Sequence, residues 1–238
     1  MKQLTRITGL SFLALSSSYG GIVLVDVLDG NTSPVATVAD FARADSAITS
    51  GTVYGLPEGA FAGTTGVGTA AQIAGTGNLS GVFFESESGT GSASNTNKGN
   101  FNGDGILGDY RFRSGAQVGN VTVGGLGAVP TGENITITLW GVGDTNDSDT
   151  LFTLDYNGVQ QTATTDYDTG VAADAAVQFV VPKAAGADSV SFSYQVDPTT
   201  GQGFIGWSGL SITTNEVPEP SSALLVGLAG LGLLRRQR

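Results

Sequence analysis

The sequence contains neither cysteine nor histidine among its 238 residues. Without cysteine, the chain forms no disulfide and offers no thiolate as a nucleophile or metal ligand. Without histidine, it cannot build a Ser-His-Asp triad or a Cys-His dyad, and the usual zinc sites lose their common ligands. Acid–base catalysis near neutral pH would therefore have to use carboxylates.

Charged residues are also scarce, at 13% of the chain, and they are unevenly distributed. Five of the ten basic residues lie close to the two termini. Residues 21–220 contain all 21 acidic residues and only five basic ones, which gives that region a net charge of −16. A surface of this sign repels nucleic acid and attracts cations. We therefore expect no nucleic-acid partner.

The interior of the chain is rich in small and β-forming residues, including 37 glycines. Valine, threonine and serine between frequent turn residues are typical of short strands joined by tight turns. Residues 21–215 show no alternation of strands with helices, so we predict one all-β domain there. The expected fold is an antiparallel two-sheet sandwich of jelly-roll-like form.

The second half of this domain carries the clearest strand signals. Residues 134–140 alternate strictly, with Ile135, Ile137 and Leu139 on one face. Asn157-Gly158 separates two strand-like runs and suits a type I′ turn, which requires positive φ at both central positions. Further alternating runs are predicted at 177–181, 190–196 and 204–213, whereas residues 38–48 fit either a short helix or a strand with a loop.

The N-terminus has the three parts of a secretory signal peptide. Basic Lys2 and Arg6 precede a mostly apolar stretch at 7–15, and small residues follow up to Gly20. We predict a signal peptide at residues 1–20 and therefore export of the protein.

The C-terminus combines a short motif, an apolar run and a basic end. The motif is Pro218, Glu219 and Pro220, the apolar run covers 221–234, and the basic end consists of Arg235, Arg236 and Arg238. Arginines after an apolar run favour a membrane segment retained by the positive-inside rule. The run is shorter than the roughly 20 residues of a full span, so we expect transient insertion of an apolar helix.

Residues 216–238 resemble the PEP-CTERM sorting signal, in which these three parts occur in the same order. The resemblance implies recognition by an exosortase, a membrane enzyme that processes such tails near the Pro-Glu-Pro motif. It also implies a bacterium that makes extracellular polysaccharide, and a route from the inner membrane to the cell surface or the medium.

Two tryptophans are candidates for ligand contact. In their strands, Trp140 and Trp207 have the opposite parity to the aliphatic residues, which places both on an outer face. Exposed aromatic rings on such a face would stack on sugars. The alternative is burial in the core, because Gly141, Gly206 and Gly209 allow bulges that reverse parity.

An oxygen-rich loop is the candidate metal site. Asp144, Asn146, Ser148 and Asp149 offer the ligand types that Ca²⁺ prefers. However, Asp149 replaces the sixth-position glycine of a calcium loop, and no glutamate closes it. A second oxygen-rich loop contains Asn102, Asp104 and Asp109. The alternative for both is an ordinary solvated turn without any cofactor.

The preferred hypothesis is a non-enzymatic surface or extracellular-matrix protein that associates with polysaccharide. One alternative is a carbohydrate-binding module of jelly-roll type. The other is a glycoside hydrolase based on carboxylates such as Glu85 and Glu87, which lie two apart and would share one face of a strand.

Overall fold

The computed structural model describes residues 19–28, 35–56, 71–88, 93–94, 104–114, 117–143, 149–199 and 203–215. These residues form thirteen strands, one short α-helix and three 3₁₀ turns. The strands are β1 Tyr19–Val27, β2 Val53–Leu56, β3 Ala71–Gln72, β4 Phe83–Ser88, β5 Ala93–Ser94, β6 Tyr110–Ser114, β7 Gly119–Gly124, β8 Asn134–Gly143, β9 Thr150–Tyr156, β10 Val159–Thr164, β11 Ala176–Pro182, β12 Val190–Val196 and β13 Phe204–Asn215. The helix α1 is Val38–Phe41, and the 3₁₀ turns are Gly77–Leu79, Leu126–Ala128 and Tyr167–Thr169.

The strands form two sheets. The seven-stranded sheet has the order β11-β8-β13-β1-β2, and β6 pairs with β13 and with β5. The six-stranded sheet has the order β10-β9-β12-β7-β4-β3. The pairs are antiparallel except β1 with β2, which run parallel. The predicted all-β, two-sheet sandwich is thus confirmed, with few helical residues among those described.

One hydrophobic core fills the space between the sheets. Alternating strands supply it from both sides, as expected where one face of each strand is buried. The alternation predicted at 134–140 is confirmed, because Ile135, Ile137 and Leu139 all lie in this inter-sheet core. Phe152, Leu154, Val190 and Phe192 face them from the six-stranded sheet.

A second cluster covers the other face of the seven-stranded sheet. We call it the outer cluster, and its buried members are Ile22, Leu24, Ala36, Phe41, Ile48, Ile106, Leu107, Tyr110, Trp140, Val142, Tyr167 and Ala175. Strands β1 and β8 supply one side of it, and segments 35–48, 104–110 and 167–175 supply the cover. The central strands β1, β8 and β13 are consequently buried on both faces over most of their length, whereas the edge strand β11 exposes Gln178 and Val180.

The predicted turn is confirmed. Asn157 and Gly158 have φ values of 52° and 76°, so both central positions of the β9–β10 hairpin are left-handed as a type I′ turn requires. Residues 38–48 form a short helix followed by turns, which decides between the two forms that the sequence allowed. The predicted signal segment up to residue 18 and the C-terminal helix lie outside the described residues.

The first and last strands of the described chain are paired with each other. Tyr19 at the start of β1 pairs with Asn215 at the end of β13. The first strand therefore includes Tyr19 and Gly20, the last residues of the predicted signal peptide. The described chain therefore begins and ends at the same end of two neighbouring inner strands of the seven-stranded sheet.

Candidate functional site

Trp140 is buried instead of exposed, so the prediction of an exposed stacking platform is corrected. Its ring has 0% exposure and lies 5.1 Å from the ring of Phe41, edge to face. The predicted parity is correct, because Trp140 lies on the face opposite to Ile137 and Leu139. That face is covered by the outer cluster, and no ring surface remains for a sugar.

Trp207 is also buried, and it lies on the opposite side of the sheet from Trp140. A register shift between Trp207 and Gly209 interrupts β13 and places Trp207 on the same face as Leu210 and Ile212. Its ring lies 5.4 Å from the ring of Phe192 in the inter-sheet core. The two tryptophans therefore share no outer face.

The carboxylates Glu85 and Glu87 also lie on different faces. A register shift between Phe84 and Ser86 in β4 leaves Glu85 exposed and turns Glu87 towards the core, opposite Val121. Only 5% of the Glu87 side chain is exposed. The paired arrangement predicted from their spacing is therefore wrong, and these two residues do not flank a common substrate position as a glycosidase pair would.

Glu87 belongs instead to a buried polar group that bridges the sheets. Its Oε2 lies 3.9 Å from Nε of Arg111 on β6, and its Oε1 accepts a 3.3 Å hydrogen bond from the Tyr194 hydroxyl on β12. The side chains of Glu87 and Arg111 are 5% and 4% exposed. Because both side chains are shielded from water, Glu87 on β4 and Arg111 on β6 link the six-stranded sheet to the seven-stranded sheet.

The predicted metal loop lies largely outside the described residues, which exclude Asp144, Asn146 and Ser148. The fourth residue, Asp149, precedes β9, and its Oδ1 accepts a 2.8 Å hydrogen bond from the Tyr167 backbone N–H. That bond gives the Asp149 carboxylate a structural partner. Within the described residues, no group of three or more acidic side chains is arranged to hold a metal ion.

The outer face of the six-stranded sheet is polar. Its side chains alternate with the core residues of β7, β9, β10 and β12, and they are half-buried or exposed. Strand register aligns them into two rows that cross the sheet. The first row is Gln160, Asp155, Ser191, Thr122 and Ser86, and the second is Thr162, Thr153, Ser193 and Asn120.

Hydroxyl and amide groups dominate these two rows. Asp155 is the one charged residue in them, and its Oδ2 accepts a 3.2 Å hydrogen bond from Nε2 of Gln160. The hydroxyls of Thr122 and Ser191 lie 2.9 Å apart and are hydrogen-bonded. Neighbouring strands are about 4.8 Å apart, so the rows present polar groups at a regular lateral spacing. We call these two rows the polar face.

A cluster of aspartates with one arginine lies beside the outer cluster. The guanidinium of Arg43 binds both carboxylate oxygens of Asp104, at 2.6 and 2.8 Å, and Oδ1 of Asp40 at 2.9 Å. Burial acts to raise the pKa of Asp104, but hydrogen bonds from Arg43 and from the Leu107 N–H lower it below its ordinary value. The ion pairs fix segment 35–45 to the loop before β6.

Asp26 is the functional candidate that the sequence analysis missed. It lies in the apolar strand β1, points away from the inter-sheet core, and is 0% exposed. Burial raises the pKa of Asp26 to about 8, against a 2.7 Å hydrogen bond from the Ala36 N–H, and the negative charges of Asp109, Asp40 and Asp104 raise it further. A lone aspartate within an otherwise apolar strand was the signal that could have identified it.

The described helices do not have the length and apolar character needed to cross a membrane. The predicted membrane segment at 221–234 lies outside the described residues, as do Pro218, Glu219, Pro220 and the terminal arginines Arg235, Arg236 and Arg238.

The family model of the PEP-CTERM protein-sorting motif matches residues 216–238. The match confirms the resemblance seen in the Pro-Glu-Pro motif, the apolar run and the basic end. The tail is thus a sorting signal for export. A search of curated proteins finds no match to this chain.

Several solved structures are similar to the sandwich at low sequence identity. One contains the CBM22-1 and GH10 modules of endo-1,4-β-D-xylanase 10B from Clostridium thermocellum with xylohexaose, at 12% identity and a TM-score of 0.35, covering 55% of this chain and 26% of that chain. A GH115 4-O-methyl-α-glucuronidase with specificity for decorated arabinogalactans has 11% identity and a TM-score of 0.31, covering 47% of this chain and 15% of that one. The xylan-binding module CBM15 has 14% identity and a TM-score of 0.29, covering 53% and 85%. This chain spans about a quarter of the xylanase chain, and similarities at these TM-scores carry no argument about function.

Proposed function

We propose that this protein is an exported, non-enzymatic surface or matrix protein whose jelly-roll-like sandwich binds extracellular polysaccharide through the polar face. The observation that carries the proposal is the contrast between the outer faces of the two sheets. The central strands of one are covered by the outer cluster, whereas the other presents rows of hydroxyl and amide groups.

The chemistry of the polar face suits a neutral, hydroxyl-rich polymer. Hydroxyl and amide side chains both donate and accept hydrogen bonds, as sugar hydroxyls do. The net charge of −16 over residues 21–220 disfavours polyanions. A neutral polysaccharide therefore fits this face better than nucleic acid or an acidic glycan.

Sorting through the tail fits the same role. The PEP-CTERM motif implies processing by an exosortase-type membrane enzyme, and the tail leaves the domain beside Tyr19 and Asn215. Transient retention at the inner membrane would be followed by release to the cell surface or the extracellular matrix.

A non-enzymatic role is supported by the absence of histidine and cysteine and by the separation of Glu85 from Glu87. Glu87 is enclosed beside Arg111 and Tyr194, where a polysaccharide chain has no access. We therefore propose binding without hydrolysis.

The polar face is tested by polysaccharide pull-down. Ser193→Lys introduces a long cation between Thr153 and Asn120 in the second row. We expect it to weaken binding of the full chain to insoluble cellulose or β-1,3-glucan at least tenfold, about 1.4 kcal/mol.

Gln178→Lys on β11 is the matched control, because Gln178 is exposed on the other sheet. It adds the same charge and should leave binding unchanged. Equal loss in both variants, or binding of neither polysaccharide by the natural chain, would refute the polar face as the binding surface.

Tail processing is tested separately by mass spectrometry of the mature protein recovered from the producing cells. We expect the C-terminus to lie near Pro218-Glu219-Pro220. Recovery of secreted protein that still ends at Arg238 would refute processing, and it would leave the pull-down result unaffected.

A further inference from the structure

Asp26 is an acidic residue on the covered face of a central strand. In β1 it has the parity of Ile22 and Leu24, whose side chains belong to the outer cluster. Its cross-strand neighbours are both glycines, Gly209 on β13 and Gly55 on β2. Because glycine has no side chain, neither neighbour offers a polar side-chain group to the Asp26 carboxyl.

One contact joins this carboxyl to the cover of the outer cluster. Asp26 is 0% exposed, and its Oδ2 accepts a 2.7 Å hydrogen bond from the Ala36 backbone N–H, ten residues further along the chain. Among the described residues, the buried Oδ1 has no hydrogen-bond partner. The carboxyl is thus shielded from solvent and has one donor for two oxygens, so a negative charge on it is costly.

Ala36 lies where two segments of the cover meet. It stands near the start of segment 35–48, and Gly105 of segment 104–110 packs closely on it, because a Cβ at Gly105 would lie 3.3 Å from Cα of Ala36. The next residue, Ile106, packs in the same way on Gly209, where a Cβ would lie 2.8 Å from Cδ1 of Ile106. The two segments therefore close together over the position of Asp26, and water reaches its carboxyl only if one of them moves.

The charged groups that act on Asp26 come from the same two segments. Asp109, Asp40 and Asp104 act on it with their negative charges, in order of decreasing effect. Arg43 is ion-paired with Asp40 and Asp104 instead of with Asp26. The three aspartates add to the cost of ionising Asp26, although the effect of burial is larger than theirs.

We propose that Asp26 is a proton-dependent latch that holds segment 35–48 on the seven-stranded sheet. With a proton on Oδ1, the carboxyl is neutral and Oδ2 still accepts the Ala36 N–H, so the segment stays closed over β1. Without the proton, which passes to solvent, the charge is stabilised only when water reaches it, and this requires segment 35–48 to lift. Alkaline solution therefore loosens the outer cluster and leaves the inter-sheet core intact.

The direction of the pH effect follows from the environment of Asp26. Burial is the largest cause that raises its pKa from 3.8 to about 8, against the Ala36 hydrogen bond, which lowers it. The stabilisation is fully present below pH 3.8 and is lost as the pH rises through about 8. The bond to Asp104 raises the pKa of Arg43, and hydrogen bonds lower the pKa of Asp104 against its burial, so this ion pair stays charged between pH 5 and pH 9.

Thermal unfolding of the full chain in mild detergent tests the latch, with Asp26→Asn as the reference. The amide oxygen of this variant can still accept the Ala36 N–H, but its side chain does not titrate. The Tm of the natural chain relative to that of Asp26→Asn should fall by at least about 5 °C between pH 5 and pH 9. The other titrating groups are common to both proteins, so their effects cancel in this difference. A difference that stays constant, or that rises with pH, would overturn the proposal.

Asp188→Asn is the matched control, because it makes the same substitution at an exposed position. Its Tm should follow that of the natural chain over the same pH range. If its Tm departed from that of the natural chain as much as the Tm of Asp26→Asn does, the latch would be refuted.

A second measurement locates the change and does not depend on the folding of Asp26→Asn. Trp140 and Trp207 are the two tryptophans of the chain, one in the outer cluster and one in the inter-sheet core. In Trp207→Phe, acrylamide should quench Trp140 at least about twofold more strongly at pH 9 than at pH 6, because the ring of Trp140 contacts Phe41 of segment 35–48. In Trp140→Phe, the quenching of Trp207 should not change. An unchanged Trp140 signal, or an equal change at both tryptophans, would overturn the latch.

Discussion

The two sheets differ in what their outer faces contact. In the seven-stranded sheet, β13 has ten consecutive buried positions between its exposed ends, because both of its faces are covered. In the six-stranded sheet, β9 alternates between buried and half-buried residues along its whole length. The first pattern is that of a strand between two layers, and the second is that of a strand with one face towards solvent.

This difference shows what alternation in a sequence can establish. Parity identifies the residues that share a face, but it does not show whether another segment covers that face. Trp140 has the parity of Thr136 and Thr138 and is nevertheless fully buried. Its cover comes from segments 35–48, 104–110 and 167–175, which are short and irregular.

The largest expected effect comes from removing Trp140. Trp140→Ala deletes a ring with 0% exposure that contacts Phe41 edge to face. We expect a loss of about 3 to 5 kcal/mol in the free energy of unfolding, as for other buried aromatics. Urea unfolding measures this loss.

Trp140→Phe is the matched control and should lose clearly less, because it keeps an aromatic ring in the cluster. Comparison with Trp207→Ala tests whether the outer cluster is as important as the inter-sheet core. A loss below about 1 kcal/mol in Trp140→Ala would mean that the cover contributes little to the fold, contrary to the burial seen here.

Much of the fold could be predicted from sequence where the chain alternates regularly. Strands β8 to β13, apart from their bounds, follow from the period-two patterns and from the turn at Asn157-Gly158. The bulges could not be predicted, because a glycine or a polar residue permits a register shift without requiring it. The shifts at Phe84/Ser86 and Trp207/Gly209 determined the positions of Glu87 and Trp207.

The candidate sites were less predictable than the fold. The sequence shows Asp26 as a lone aspartate in an apolar strand, but its full burial and its bond to the Ala36 N–H depend on a segment that folds over β1, which is a tertiary property. The polar face likewise depends on the register of β7, β9, β10 and β12. In contrast, the sorting motif is a local signal, and the family comparison confirms it at residues 216–238.

A smaller effect is expected from removing the ion pairs that hold segment 35–48, which covers the outer face of the seven-stranded sheet, to segment 104–110. Arg43→Ala removes two hydrogen bonds to the Asp104 carboxylate and two to Asp40, one to its carboxylate and one to its backbone carbonyl. The Arg43 side chain is 28% exposed, so solvent screens the pair and we expect a loss of about 1 kcal/mol at pH 7. Arg43→Lys keeps the charge but not the two-pronged geometry, and it should lose less.

The pH dependence of this effect follows from the lowered pKa of Asp104. A carboxyl whose pKa is lower in the folded state stabilises the fold above its unfolded pKa of 3.8, and this contribution disappears as the pH falls through the folded value. The difference between Arg43→Ala and the natural chain should therefore shrink between pH 7 and pH 2. Urea unfolding at both pH values measures it, and a difference that grew on acidification would contradict the assignment.

The smallest effect on stability is expected on the polar face, where neighbouring residues of β7 allow a direct comparison of the two sides of one strand. Thr122 is half-buried and hydrogen-bonded to Ser191, whereas Val121 is 0% exposed in the inter-sheet core. Thr122→Ala should change the free energy of unfolding by no more than about 0.5 kcal/mol, because water can replace the lost hydroxyl partner. Val121→Ala should lose about 2 kcal/mol, because it removes two buried methyl groups and leaves a cavity. If urea unfolding gave equal losses, the polar face would be covered like the central strands of the seven-stranded sheet, and a polysaccharide could not reach it.

A small loss in Thr122→Ala would instead mean that residues of the polar face are free to serve binding at little cost in stability.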